Sequence, residues 1–92
     1  MTITEIKKEE IPSLVFTSSD VLKDDNDKRE RLEKLEQALH AGNLDKQKAK
    51  IIFKDLTGSH FVYTTIWFVS DMHVQLKAGV LIPIASILEV IL

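Results

Sequence analysis

The stretch from Lys48 to Val69, KAKIIFKDLTGSHFVYTTIWFV, decides the fold of this 92-residue chain. In its first part, Ala49, Ile51 and Phe53 alternate with lysines, which is typical of a strand with one buried and one solvated face. The segment 55–59 is rich in turn-forming residues, and the run after it is mainly β-branched and aromatic. We therefore predict a hairpin whose first strand covers residues 48–55 and whose second strand covers residues 61–69.

Three shorter strands are predicted after this hairpin, at residues 73–77, 80–82 and 87–91. Ala78-Gly79 favours a tight connection between the first two of them. Pro83 belongs at a sheet edge or a strand end, because it has no amide hydrogen to donate. Ala85-Ser86 leaves room for a single helical turn before the last strand, so five strands are expected in all.

One helix is predicted upstream of the sheet, over residues 26–41. Its N-terminus is provided with capping side chains and negative charge by the cluster Asp24, Asp25, Asn26 and Asp27. At its other end, Gly42 favours a left-handed C-cap. The apolar stripe of this helix is narrow, so we expect it to pack on the sheet. Its members recur at three- and four-residue spacing and are Leu32, Leu35 and Leu39.

The residues before this helix mix isolated apolar positions with charges and Pro12, without a helical or strand period. We interpret residues 1–24 as a partly ordered N-terminal arm, with Leu14–Phe16 as its anchor. Residues 25–92 then form the helix and the β-domain.

This order of elements resembles the Sm-like small barrel of the SH3-like group. The stretch from Ala49 to Val90 is also loosely similar to the Rof family, in a strand, a glycine turn, a long strand, a strand ending near Ile84 and a Ser86-Ile87 turn. Short bacterial proteins with similar Thr-Thr-Ile-Trp and Ile-Pro-Ile segments, here residues 64–67 and 82–84, are a further likeness. The resemblance implies a mostly β fold with one helix: an N-terminal helix followed by a five-stranded antiparallel Sm-like barrel.

The resemblance does not bring RNA-binding residues with it. Sm proteins that bind uridine-rich RNA use an Asn and an Arg–Gly pair in defined loops, and no arginine follows Arg31 in this chain.

The composition of the chain excludes several kinds of functional site. The chain has no cysteine, which excludes disulfides, thiolate nucleophiles and cysteine-bound metal centres. The N-terminus lacks the pattern of a secretory signal, and the apolar stretch from Val80 to Leu92 is interrupted and too short to cross a membrane. We expect a cytoplasmic protein without a membrane partner.

No catalytic pattern is present in the sequence. His40, His60 and His73 share no metal-ligand spacing, and there is no nucleophile elbow, phosphate loop or His-Glu-x-x-His motif. We expect no catalytic residue, no metal, no cofactor and no enzymatic activity.

A strip of lysines is the least random feature of the sequence. The net charge is −2, yet residues 28–54 carry eight Lys and Arg against four acidic residues. Lys46, Lys48, Lys50 and Lys54 fall at even positions and so project from one face of the first strand. They either contact phosphates or form a solvated face that opposes edge pairing, and the negative net charge favours the second interpretation.

The second strand carries aromatic residues at the odd positions Phe61, Tyr63 and Trp67. Its even positions are Val62, Thr64, Ile66 and Phe68. Alternation assigns these two sets to opposite faces but leaves open which face is inside. The odd set either stacks bases or is covered by a helix or a subunit.

Two functions remain open. The first is a non-enzymatic binding or regulatory module that acts through protein–protein contacts and self-associates, because the apolar residues between Ile82 and Leu92 exceed what a small barrel can bury. The alternative is a nucleic-acid-binding protein that uses the lysine strip. Exposure of Tyr63 and Trp67 beside Lys50 and Lys54 would favour this alternative, and their burial would favour the first.

Overall fold

The computed structural model describes residues 2–92, in which one long helix and seven strands are present. In chain order these are β1 (Thr4–Glu5), α1 (Asp25–Asp45), β2 (Ala49–Asp55), β3 (Gly58–Thr64), β4 (Ile66–Val69), β5 (His73–Leu76), β6 (Leu81–Pro83) and β7 (Ile87–Ile91). Short 3-10 turns lie at Lys8–Ser13, Lys77–Gly79 and Ile84–Ser86. Helical and extended residues are similar in number, so the fold is mixed α and β rather than mostly β.

The strands form two sheets that share one core. The four-stranded sheet has the order β1-β3-β2-β7 and the three-stranded sheet the order β4-β5-β6. All pairs are antiparallel except β1 with β3. The expectation of five antiparallel strands closed into a barrel is wrong, because the predicted second strand is interrupted at Thr65 and its two halves belong to different sheets. The arm also adds the parallel strand β1.

The core lies between the inner faces of the two sheets. Val62, Ile51 and Val90 form one row across β3, β2 and β7, and Val74 faces Ile82 in the other sheet. All five are at most 3% exposed. The sequence predicts the buried position of Ile51 by alternation, and the structure settles which face of β3 is inside by burying Val62.

Helix α1 begins as predicted but ends later. Asp24 caps its N-terminus, with a side-chain oxygen accepting from the Asn26 amide at 2.7 Å. The predicted C-cap at Gly42 is wrong, because the helix continues to Asp45 and the left-handed residue is Lys46, with φ of 56°. Gly42 is instead buried inside the helix, where a β-carbon would lie 2.8 Å from the Ile66 carbonyl oxygen.

The buried face of α1 differs from the predicted leucine stripe. Leu35 is fully buried as expected and Leu39 is half-buried, but Leu32 is 44% exposed. The buried face of the helix has only one leucine, and its other residues are small or polar. The small residues allow the helix to lie close against β4 and β7. The residues of this face are Arg31, Leu35, Ala38 and Gly42.

The N-terminal arm runs along the outside of the domain. Its most deeply buried residue is Ile11, at 1% exposure, whereas Leu14 and Phe16 pack around the core with part of their surface exposed. The Val21 amide donates to the Ala85 carbonyl at 2.8 Å, and the Leu56 amide donates to the Val15 carbonyl at 3.0 Å. These two bonds attach the arm to the turn before β7 and to the β2–β3 turn.

The apolar C-terminal segment is largely absorbed within the chain. Ile82, Ile87 and Val90 point inward, and only Ile91 and Leu92 are more than two-fifths exposed. Most of the apolar residues between Ile82 and Leu92 are therefore covered within the chain. None of the helices among residues 2–92 is both long and apolar enough to cross a membrane.

Candidate functional site

The outer face of the three-stranded sheet exposes large apolar side chains. Phe68, Gln75 and Leu81 lie opposite one another across β4, β5 and β6, on the face away from Val74 and Ile82. Phe68 is 56% exposed and Leu81 is 51% exposed. No Asp, Glu, Lys or Arg occurs in any of the three strands. We call this surface, Phe68, Gln75 and Leu81, the apolar face.

A β-bulge accounts for the exposure of Phe68. Ile66 faces Leu76 and Phe68 faces Gln75, so Trp67 is an extra residue in β4. After this extra residue the alternation of side chains between the two faces of the sheet shifts by one position. Trp67 and Phe68 are therefore both exposed, at 48% and 56%. Alternation groups Val62, Thr64, Ile66 and Phe68 on one face, and the structure buries the first three but not Phe68.

Trp67 lines a notch of about 300 Å³ between the C-terminus of α1 and the three-stranded sheet. Its lining, which we call the Trp67 notch, consists of Gly42, Asn43, Lys46, Thr65, Trp67 and Lys77. The Thr65 hydroxyl donates to the Lys46 carbonyl at 3.3 Å, and the Thr65 carbonyl accepts from the Lys77 amide at 3.0 Å. Thr65 thus holds the backbones of both lysines beside the indole.

The four lysines of the predicted strip do not form one continuous surface. Lys46 is the left-handed C-cap of α1, and Lys48 precedes β2. Lys50 is half-buried, with its ammonium 4.4 Å from the centre of the Phe61 ring. Lys54 is exposed near the far end of β2, opposite Ser59. The strip is divided because its first two members lie outside the strand.

Tyr63 and Trp67, which the sequence placed together, lie in different sheets. Tyr63 is 57% exposed and lies directly opposite Lys50 on the outer face of the four-stranded sheet. Trp67 is in the Trp67 notch, beside Lys46 and Lys77 rather than Lys50 and Lys54. The exposure criterion for nucleic-acid binding is therefore met by Tyr63 with Lys50 and not by Trp67 with Lys54.

A second groove, on the side of Tyr63, mixes both signs of charge. Lys48, Tyr63 and Lys77 line it together with residues of the arm. The arm residues are Glu5, Ile6, Lys7, Lys8, Glu9 and Glu10. Three carboxylates thus share this groove with the lysines, which weakens its attraction for a polyanion.

Asp55 and His60 form a cluster at the β2–β3 turn. Asp55 Oδ1 accepts from the Thr57 amide at 2.9 Å, the Thr57 hydroxyl at 2.8 Å and the Gly58 amide at 3.1 Å, and lies 3.0 Å from His60 Nε2. Burial by itself raises the pKa of Asp55, but the hydrogen bonds from Thr57 and His60 outweigh it and hold the pKa below its usual value.

This cluster stabilises the turn rather than a nucleophile. The Thr57 hydroxyl is 3.4 Å from the same His60 Nε2 that contacts Asp55. In a catalytic triad the carboxylate and the nucleophile contact opposite nitrogens of the imidazole. Here Asp55 and Thr57 both contact Nε2 of His60. The imidazole therefore does not lie between the carboxylate and the hydroxyl, as a proton relay requires.

Arg31 joins the arm, the helix and β7. Its guanidinium makes two hydrogen bonds to the Asp20 carboxylate, at 2.8 and 2.7 Å, and a third to the Ile87 carbonyl at 3.0 Å. The Arg31 hydrogen bonds lower the pKa of Asp20, and partial burial opposes them. Arg31 is 7% exposed, so we interpret this ion pair as a structural connection.

The three histidines belong to three different elements, α1, β3 and β5. His40 is exposed on α1, His60 belongs to the Asp55 cluster and His73 begins β5. Within residues 2–92, no group of three His, Asp or Glu side chains is placed to hold a metal ion.

Sequence reasoning missed the apolar face and part of the notch. Phe68 was grouped with Val62, Thr64 and Ile66 on one face of a single strand, and Thr65, Lys77 and Leu81 were not singled out. The signal that could have found this surface is the absence of charge from residues 66–69, 73–76 and 81–83. Strands with one solvated face normally carry charged residues there.

Comparisons with protein-family models, with curated proteins and with solved structures found no match to this chain.

Proposed function

We propose that this chain is a non-enzymatic binding or regulatory module that acts through protein–protein contacts at the apolar face. The observation that supports this proposal is the exposure of Phe68 and Leu81 on a sheet without charged residues. Large apolar side chains exposed on a face without charge are a common mark of an interface, since water solvates them poorly. We further propose a cytoplasmic location, as the absence of cysteine suits a reducing compartment.

The contact is proposed at the face and not at a sheet edge. Helix α1 lies against β4, and the 3-10 turn Lys8–Ser13 lies against β6, so both outer strands of the three-stranded sheet have neighbours. An open strand edge invites pairing with another chain, and covering it prevents such pairing. A partner would therefore bury side chains rather than extend the sheet.

The experiment that tests this function is affinity capture with a paired set of variants. We expect a protein that is retained by the wild type to be lost when Phe68→Ser and Leu81→Ser are combined. Leu56→Ser is the matched control, because Leu56 is 63% exposed in the turn between β2 and β3, which belong to the other sheet. Retention by the double variant, with thermal stability unchanged, would contradict the proposal.

Nucleic-acid binding is the second candidate, supported by the exposed Tyr63 opposite Lys50 and by the nearby Lys48. A base could stack on Tyr63 while the lysines contact phosphates. Affinity for a random single-stranded oligonucleotide should then fall steeply with salt and be weakened by Lys48→Glu with Lys50→Glu. Lys54→Glu, at the far end of β2, should change it little.

We also propose that this chain is related to Sm-like small barrels and to the Rof family. The order of α1, β2, the interrupted β3–β4 strand, β5, β6, the Ile84–Ser86 turn and β7 supports it.

A further inference from the structure

The Trp67 notch lies beside the apolar face and differs from it in charge. Trp67 follows Ile66 and precedes Phe68 in β4, so the notch and the face share a strand. The face has no charged residue, whereas the notch has Lys46 and Lys77 on its lining. A partner that covers both surfaces meets an apolar area with two positive charges at one end.

The two lysines have no acidic partner of their own. Within residues 2–92 the ion pairs closer than 4.0 Å are Lys8 with Glu9, Arg31 with Asp20 and His60 with Asp55. The lining of the notch contains no Asp or Glu. Lys46 and Lys77 are both exposed, and Thr65 holds their backbones in place. Neither ammonium group is thus engaged in an ion pair within 4.0 Å, and Lys77 also borders the groove that contains Glu5, Glu9 and Glu10.

We propose that the Trp67 notch binds an acidic peptide segment of a protein partner, with an apolar side chain against Trp67 and carboxylates on Lys46 and Lys77. This inference rests on the proposed protein-binding function and adds the chemistry of the partner. Complementary charge at the rim of an apolar contact gives specificity and orientation to the bound segment.

Carboxylates fit this site better than a polyphosphate chain. A nucleic acid that leaves the notch would cross either the uncharged apolar face or the groove containing Glu5, Glu9 and Glu10. The apolar face neutralises no further phosphates, and in the groove three glutamates offset most of the charge of the four lysines that line it. A peptide with a few carboxylates around an apolar anchor needs only the two charges and the apolar surface that the site provides.

The experiment uses Trp67 as its reporter, because it is the only tryptophan of the chain. The full chain is titrated with a tryptophan-free peptide in which a Leu-Phe pair is flanked by glutamates. The comparison probes are the same peptide with glutamine at each glutamate, and oligothymidylate. We expect the acidic peptide to change the Trp67 fluorescence at the lowest concentration of the three.

The lysine dependence is tested with Lys46→Gln combined with Lys77→Gln. We expect the dissociation constant of the acidic peptide to rise about three- to tenfold, as for the loss of two solvent-exposed ion pairs. Lys54→Gln is the matched control and should leave it unchanged. Lys77→Gln alone, with about half the effect on a logarithmic scale, provides a second variant if the double variant is less stable.

Three results would overturn the inference: equal binding of the glutamate and glutamine peptides, no binding of either, or tighter binding of oligothymidylate with the same lysine dependence. These failures are distinct from failure of the proposed function. A captured partner that depends on Phe68 and Leu81 but not on Lys46 and Lys77 would retain the protein-binding module and exclude an acidic ligand at the notch.

Discussion

At the scale of single residues, one buried carboxylate, Asp55, and one partly buried carboxylate, Asp20, accept directed hydrogen bonds from the protein. Asp20 accepts from the Arg31 guanidinium, and Asp55 accepts from Thr57, Gly58 and His60. Both have a pKa below the usual value of 3.8. A carboxylate of this kind stabilises the folded state only while it is ionised, so its contribution depends on pH.

We therefore predict that acid destabilises this domain through Asp20 and Asp55. Because each pKa is lowered on folding, the contribution is present above about pH 4 and is lost as the pH falls below 3.8 towards the folded-state value. Urea unfolding across this range should show a free energy of unfolding that drops with acidification. The drop should be smaller in Asp20→Asn and in Asp55→Asn.

Asp71→Asn is the control for these variants, since Asp71 is an exposed turn residue. If Asp20→Asn and Asp55→Asn both keep the wild-type dependence on pH, the hydrogen bonds around these carboxylates do not stabilise the fold as described.

At the scale of the elements, α1 is held by close packing rather than by a leucine stripe. Gly42 allows the helix to approach the backbone of β4, and Leu35 inserts into the core with no exposed surface. Arg31 adds hydrogen bonds to the arm and to β7. The same approach places Lys46, at the end of α1, beside Trp67 in β4.

Substitution of Leu35 by alanine tests how much this packing contributes to the free energy of unfolding, because alanine does not lower the helix propensity. We predict that Leu35→Ala lowers the free energy of unfolding by about 2–5 kcal/mol, as for a buried leucine that leaves a cavity. Leu32→Ala, in the same helix at 44% exposure, should lower it by less than about 1 kcal/mol. Denaturant unfolding of both variants measures the difference, and equal losses would show that the two leucines pack alike.

At the scale of the whole molecule, apolar surface is unevenly distributed. The apolar C-terminal segment is mostly internal, while the three-stranded sheet exposes Phe68 and Leu81 on a face without charge. A second copy of the chain can cover such a face, and isologous contacts of this type close on themselves as dimers.

We predict weak, reversible self-association through the apolar face. Light scattering over a series of concentrations should give a mass that rises above the 10.5 kDa of one chain. The mass should return to that of one chain when Phe68→Ser is combined with Leu81→Ser, and should be unaffected by Leu56→Ser in the β2–β3 turn. A constant mass of one chain for the wild type would leave another protein as the partner of this face.

The sequence by itself determined the elements whose signals are local. Strand alternation predicted the inward residues Ala49, Ile51 and Phe53 of β2, and the acidic cluster at residues 24–27 predicted where α1 begins. Hydrogen bonds and alternation within a few residues are enough for such features. The lysine and aromatic residues were also identified, but their grouping into one surface was not correct.

Only the tertiary structure decided how these elements meet. The break at Thr65 divides one long apolar run between two sheets, and the extra residue Trp67 turns Phe68 outward. Neither event has a local signal, because Thr64 to Val69 would all suit an uninterrupted strand. Gly42 likewise suits a C-cap when read locally, and only the position of the Ile66 carbonyl shows why the helix continues through it. The Trp67 notch exists because these contacts, distant in sequence, bring the end of α1 to β4.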